Sequence, residues 1–145
     1  MRDIKFRAWD GKKMHFPIEW GNSGVMYPNE YIHDNYPNEG DFPLLYNIGR
    51  GGVEMLQWTG LIDKNGVEIY EGDIVIADCR NHNENQLHYI IEYDNINTCF
   101  FGSTDKLKNN KYKIGLNEPM ADIRQNIEVI GNIYENPELL EEEKK

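Results

Sequence analysis

The sequence of 145 residues has no apolar run of the length that a bilayer requires. A membrane-spanning helix needs about 20 consecutive apolar residues. The longest strictly apolar stretch here, residues 74–77, has only the length of a strand. No apolar segment follows the charged residues 1–3, so a signal peptide is not expected. These absences predict a cytoplasmic protein that does not contact a membrane.

Positive charge is scarce as well. The chain has 15 Lys and Arg against 25 Asp and Glu, which gives a formal net charge of −10. Such an excess opposes non-specific contact with nucleic acid or anionic lipid. Lysines and arginines do cluster within residues 2–13 and 106–113, and solvated strand and turn charges account for such clusters.

Cysteine is limited to Cys79 and Cys99, both in strand-like segments. Without an export signal, we expect reduced thiols and not a disulfide. The residues that a metal site could use are Cys79, His82, His88, His15 and His33. Structural zinc sites have two compact ligand pairs, whereas this sequence offers one. We therefore predict no metal and no cofactor.

Catalytic signatures are missing too. The sequence has no G-x-S-x-G motif and no dinucleotide-binding glycine pattern, and the glycines of residues 49–52 lack the Lys-Ser/Thr pair of a P-loop. Asp10, Asp63 and Asp73 each lie beside or near a glycine, and turn chemistry explains each of them. We therefore predict no catalytic residues and a protein that is not an enzyme.

The sequence does contain many short patterns with a period of two. Residues 3–9 alternate and run into Asp10-Gly11, which predicts a strand and a hairpin turn with a return strand over residues 12–16. Pro17 is expected to weaken any pairing beyond that point. The pair Asn65-Gly66, flanked by apolar residues, is a strong hairpin signal.

The remaining segments extend this β-rich pattern. Further strands are predicted at residues 53–59, 74–77, 88–93, 99–101, 111–116 and 127–134, with a helical turn at 119–123 and a short helix capped by Asn136. Strands and helices do not alternate. The sequence predicts a mainly β, single domain over residues 1–145, with short helical turns and a charged tail at 141–145.

Residues 17–52 have a different character. They hold four of the six prolines, and Pro-Asn pairs in them favour successive turns. Aromatic residues in this insert form a candidate interaction surface, namely Trp20, Tyr27, Tyr31, Tyr36 and Phe42. The alternative is that the insert folds back over its own sheet.

Three segments together carry a resemblance to a known family. They are residues 4–10, residues 57–75 with Thr59-Gly60 and Gly72-Asp73, and residues 129–140. Read as a set, they resemble the YopX-like family of bacteriophage and prophage proteins. The matching positions are Phe6, Trp9, Asp10, Thr59, Gly60, Gly66, Tyr70, Gly72, Asp73, Gly131, Asn132 and Tyr134; we call them the signature residues and expect most of them to be structural.

The resemblance implies a mainly β fold with an SH3-like small β-barrel portion and an additional β-rich N-terminal part. It also implies a phage origin and self-association, but no established activity and no catalytic residues. The function predicted is a self-associating binding module, with its own copies as the first partner and a host or phage protein as the second.

A nucleic-acid-binding β-barrel is the alternative function. Small barrels bind strands with exposed aromatic and basic side chains. Lys5, Arg7 and Trp9 share one face of the first predicted strand, and a second basic and aromatic group spans residues 111–113. The net charge of −10 opposes this alternative.

Overall fold

The computed structural model describes residues 3–20, 26–28, 53–77, 87–104, 113–116 and 127–141. In these ranges the chain forms ten β-strands and one helix of four residues. The prediction of a mainly β fold is therefore confirmed. The chain divides into two compact units, residues 1–58 and 59–145, and the single-domain assignment stays a prediction.

Unit 1 is built from antiparallel strands in the order β3-β2-β1-β4. They are β1 (Phe6–Trp9), β2 (Met14–Trp20), β3 (Met26–Pro28) and the first part of β4 (Glu54–Ile62). The alternation around β1 buries Ala8 completely, and Phe6, Val53 and Met55 pack against it. This small cluster is the described core of unit 1.

Strand β2 continues past Pro17, although this proline was expected to weaken pairing beyond it. Ala8 lies opposite His15, but Phe6 lies opposite Ile18, so β2 has one more residue than β1 between these pairs. This irregularity is a β-bulge, the position at which a sheet accepts a proline without losing a ladder hydrogen bond. Pairing therefore continues through Pro17 into the predicted insert, where β2 then pairs with β3.

Unit 2 contains the rest of β4 and all later elements. These are β5 (Glu68–Tyr70), β6 (Asp73–Ala77), β7 (Leu87–Asp94), β8 (Cys99–Ser103), β9 (Lys113–Gly115), β10 (Glu128–Asn132) and α1 (Glu138–Glu141). β5 pairs with β4, and an antiparallel sheet has the order β10-β6-β7-β8-β9. The predicted helical turn at 119–123 lies outside the described residues.

Apolar residues on both faces of β6 explain its interior position in the sheet, between β10 and β7. Val75 and Ala77 belong to the larger core of unit 2, together with Tyr89 and Ile91 of β7. Ile74 points to the opposite face and packs in a second cluster, which Ile90, Ile130, Ile133, Leu139 and Leu140 complete. Because α1 supplies Leu139 and Leu140, this short helix covers the second face of the sheet.

The chain between β10 and α1 differs from the expectation in two ways. The strand ends at Asn132, and residues 133–135 form a turn. Asn136 does not cap α1 through its side-chain oxygen, because Oδ1 accepts the amide of Asn132 at 3.2 Å. The side chain of Asn136 thus fixes the exit of β10, and only its backbone oxygen accepts the amide of Leu139.

Candidate functional site

Asp10 organises the hairpin between β1 and β2. Its Oδ1 accepts the amides of Lys12 and Lys13 at 2.8 and 2.7 Å, and its Oδ2 lies 2.8 Å from Nε2 of the buried His15. Burial acts to raise the pKa of Asp10, but the hydrogen bonds from His15 and the two amides outweigh it and lower the pKa to about 2. Asp10 is therefore ionised and committed to the turn.

The predicted basic and aromatic face of β1 is partly occupied within unit 1. Lys5 Nζ lies 4.4 Å from the centroid of the Trp58 ring, which is a cation–π contact. Arg7 and Trp9 are half-buried on β1. The second predicted basic group, residues 111–113, lies outside the described residues except for the backbone of Lys113 in β9.

Asp63 is the centre of the turn between β4 and β5 in unit 2. Its Oδ1 accepts the amides of Asn65 and Val67 at 2.7 and 2.9 Å, while its Oδ2 accepts the amide of Val129 in β10 at 3.0 Å. The backbone oxygen of Ile127 also accepts the amide of Lys64 at 3.0 Å. We call this set of bonds the Asp63 clamp, because it ties the β4–β5 hairpin to β10.

Asp63 is only 5% exposed. Burial acts to raise its pKa, but the hydrogen bonds from the amides of Val129, Val67 and Asn65 lower the pKa below its usual value. The side chain of Lys64 adds an ion pair with Glu128 at the surface. These hydrogen bonds therefore favour the ionised form of Asp63.

Gly72 and Asp73 form a second junction, between β5 and β6. The buried Asp73 accepts the amide of Tyr70 at 2.7 Å through Oδ2. Gly72 has φ of +81°, donates to the oxygen of Ile91 at 2.8 Å and accepts the amide of Ile133 at 2.9 Å. A Cβ at Gly72 would also lie 3.2 Å from the Tyr134 ring, so both conformation and space favour glycine.

Asn132 ends β10 with side-chain bonds to backbone amides, as Asp73 does between β5 and β6. Its Oδ1 accepts the amides of Tyr134 and Glu135 at 3.1 and 2.9 Å. Its Nδ2 donates to the carboxylate of Glu135 at 2.8 Å. A Cβ at Gly131 would come within 2.6 Å of Oδ1 of Asn136, so this position has no room for a side chain.

A shallow apolar groove of about 270 Å³ lies on unit 2. Its lining residues are Gly60, Leu61, Ile62, Ile69 and Ile127. The hydroxyl of the adjacent Thr59 donates to the backbone oxygen of the lining residue Ile69 at 2.8 Å. The exposed fractions of Ile62 and Val67 are 57% and 47%. The hairpin that the Asp63 clamp holds therefore presents apolar side chains to solvent.

The tip of the β7–β8 hairpin presents another apolar residue. Ile96 is 91% exposed, and Asp94 holds the turn by accepting the amides of Ile96 and Asn97 at 2.8 and 3.1 Å. Tyr93 packs edge-on against Phe100 with 5.0 Å between the ring centroids. A fixed turn thus carries Ile96 outward.

The sequence predicts these groups only in part. Asp63 is predicted as a turn residue, whereas Ile62, Val67 and Ile96 are not among the predicted interaction residues. No pattern in the neighbouring sequence predicts that Asp63 bonds to Val129 of β10. The position of Ile96 between two asparagines does point to an exposed apolar residue, because polar turns do not require isoleucine.

Of the histidines considered for metal binding, the structure describes His15 and His88. His15 contacts Asp10, and His88 lies on β7. Within the described ranges, no group of three or more His, Cys, Asp and Glu side chains is placed to hold a metal ion. Cys79, His82 and His33 lie outside those ranges, whereas Cys99 is a partly buried free thiol on β8.

The aromatic surface predicted in the insert is described only in part. Trp20 and Tyr27 belong to the paired strands β2 and β3. Tyr31, Tyr36 and Phe42 lie outside the described residues. In the part of the chain that the structure describes, no helix has the length and apolar character needed to cross a bilayer.

These observations define a mainly β protein of antiparallel strands in which aspartate, asparagine and glycine fix the turns. The family model described as YopX protein matches residues 5–141, and the chain belongs to this family. The resemblance inferred from the three sequence segments is confirmed.

Solved structures similar to this chain include two bacterial proteins. Protein EF1440 from Enterococcus faecalis has 26% identity and a TM-score of 0.54, with 97% of this chain and 99% of that chain covered. Protein yopX from Bacillus subtilis has 18% identity and a TM-score of 0.47, with 96% and 98% covered. A comparison with curated proteins gave no match. Neither the family nor these structures indicates an enzymatic activity.

Proposed function

We propose that this chain is a non-enzymatic accessory protein of a phage or prophage that acts in the host cytoplasm as a self-associating binding module. The proposal includes an SH3-like barrel portion, as the family resemblance implies. The observation that carries it is the apolar groove of unit 2, whose rim residue Ile62 and neighbour Val67 are half-exposed on a hairpin that the Asp63 clamp holds in place.

The described signature residues support a binding role over a catalytic one. Asp10, Asp73 and Asn132 each use one side-chain oxygen to accept a backbone amide of their own turn. A general acid or base needs a proton-transfer position in a cleft and a pKa near the working pH. Asp10, with a pKa of about 2, does not have such a value.

A second copy of the chain is the occupant that we assign to the groove. Apolar patches on a fixed scaffold are the usual core of a protein interface, with polar groups around them. Lys64 in the turn of the hairpin and Glu128 in β10, which form an ion pair, supply such polar groups.

Light scattering after gel filtration, over a range of protein concentrations, tests this function. We expect an oligomer whose mass falls in the variants Ile62→Ser and Val67→Ser. Ile4→Ser is the matched control, because Ile4 is 65% exposed and belongs to unit 1. A wild-type monomer at every concentration would contradict self-association, and an equal loss of mass in all three variants would contradict the groove.

A pull-down from host extract, with and without nuclease, tests the partner class. The binding module is supported if copies of the chain or other proteins are captured and their capture persists after nuclease treatment. Capture that nuclease abolishes, and that salt weakens steeply, would replace the proposal by nucleic-acid binding.

A further inference from the structure

The β4–β5 hairpin contains the only Asn-Gly pair in the sequence, Asn65-Gly66. Glycine has no Cβ to shield its backbone nitrogen, so the nitrogen of Gly66 can attack Cγ of Asn65. A new C–N bond then closes a five-membered succinimide ring, and the side-chain nitrogen leaves as ammonia. Water opens the ring at either carbonyl and gives aspartate or isoaspartate.

The structure places this reactive pair in a turn that opposes ring closure. The amide of Gly66 donates to the oxygen of Asp63 at 3.1 Å, whereas attack requires this amide to lose its proton and turn toward the Asn65 side chain. Oδ1 of Asp63 also holds the amides of Asn65 and Val67, one on each side of the reacting nitrogen. The side chain of Asn65 is exposed, so water reaches it.

Opening the turn disturbs bonds beyond the hairpin. The same carboxylate accepts the amide of Val129 at 3.0 Å, and the amide of Lys64 donates to Ile127 at 3.0 Å. A chemical step that needs an open state proceeds at a rate set by the population of that state. The Asp63 clamp therefore controls access to the reaction.

We infer that Asn65 is a site of spontaneous deamidation that the Asp63 clamp suppresses, so that modification of Asn65 records separation of this hairpin from β10. Isoaspartate at position 65 inserts one extra carbon into the backbone beside Asp63. The turn then cannot restore its former hydrogen bonds, and the loosened state is permanent.

The first test compares the folded and the unfolded full chain in mildly alkaline buffer, with and without urea. Peptide mass spectrometry follows the replacement of the Asn65 amide by a carboxylate, and isoaspartyl methyltransferase labels the isoaspartate. We expect modification at least about tenfold slower in the folded chain, because a tenfold rate corresponds to an opening free energy of only about 1.4 kcal/mol. Equal rates would overturn the inference.

The second test uses matched turn variants. Asp63→Ala should raise the rate of Asn65 modification toward that of the unfolded chain. Asp94→Ala removes the equivalent aspartate of the β7–β8 hairpin and should leave the rate unchanged. The same rate in Asp63→Ala and wild type would contradict control by the clamp. Asn65→Gln should abolish the signal, and a persisting signal would contradict the site.

If Asp63→Ala does not fold, wild-type chain in low urea gives the answer. The modification rate of Asn65 should rise in proportion to the hydrogen-exchange rate of the Gly66 amide. A modification rate that stays constant while this amide exchanges faster would overturn the inference.

Discussion

The two hairpins of unit 2 use the same local device in different surroundings. In each, an aspartate at the end of the first strand accepts backbone amides of its own turn through Oδ1: Asp63 those of Asn65 and Val67, Asp94 those of Ile96 and Asn97. Asp63 is buried and also bonds to Val129 of β10, whereas the bonds of Asp94 to Ile96 and Asn97 are exposed.

The same turn motif can therefore contribute differently to the free energy of unfolding at two positions. The amides that bond to Asp94 can bond to water in both the folded and the unfolded chain. The net contribution of these hydrogen bonds to the free energy of unfolding is therefore small. Asp63 satisfies an amide located 66 residues later in the chain, and its removal leaves partly buried amides without their acceptor. The long-range bond, and not the turn itself, sets the difference.

Asp63→Ala is the change with the largest expected effect. It should lower the free energy of unfolding by about 3 kcal/mol, because three amides lose their acceptor. Urea denaturation followed by circular dichroism measures it. A loss below about 1 kcal/mol, equal to that of Asp94→Ala, would remove the distinction between the two turns.

Protonation of Asp63 at low pH should destabilise the fold in the same direction as Asp63→Ala, but reversibly. The pKa values of Asp63 and Asp10 are lowered in the folded chain, so both contribute stability above the unfolded pKa of about 4 and lose it as the pH falls through the folded value. For Asp10 the shift to about 2 corresponds to about 1 kcal/mol after allowance for solvent screening.

The unfolding free energy measured from about pH 5 downward tests this expectation. Asp63→Asn and Asp10→Asn should each flatten the acid limb relative to the wild type, while Asp94→Asn serves as the exposed control. An acid limb of unchanged slope in both variants would show that neither carboxylate is linked to folding.

Asp94→Ala is expected to cost less than about 1 kcal/mol, since the amides that it releases are exposed and can bind water. The same urea titration measures it beside Asp63→Ala. The comparison would be reversed if Asp94→Ala were the more destabilising of the two.

Lys64→Ala should have the smallest effect, at most about 0.5 kcal/mol. The ion pair between Lys64 and Glu128 joins two side chains that keep 43% and 38% of their surface exposed. Its contribution should fall further in high salt. A salt-independent loss above 1 kcal/mol would assign the hairpin contact with β10 to this pair instead of Asp63.

The sequence predicts these features where the signal is local. Asp10-Gly11, Asn65-Gly66 and Gly72-Asp73 marked turns that the structure contains. The loop at Asn65-Gly66 still differs from a two-residue turn, because Gly66 has a positive φ and Asn65 does not. Strands β6, β7 and β8 followed from β-branched and aromatic runs.

Features that depend on distant residues were not predictable in this way. The pairing through Pro17 depends on a bulge against β1, and the role of Asn136 depends on where β10 ends. No local pattern connects Asp63 with Val129 or gathers Gly60, Leu61 and Ile127 around one groove. The interaction surface predicted in the insert stays a prediction.

The strand order of unit 2 has a consequence for synthesis. β6 pairs with β7 on one side and with β10 on the other, yet β10 leaves the ribosome about fifty residues after β6, a delay of several seconds at typical translation rates. During that delay one edge of β6 has no neighbouring strand, and such edges recruit other nascent chains. Chaperone demand in the cell should therefore peak before residues 128–132 emerge.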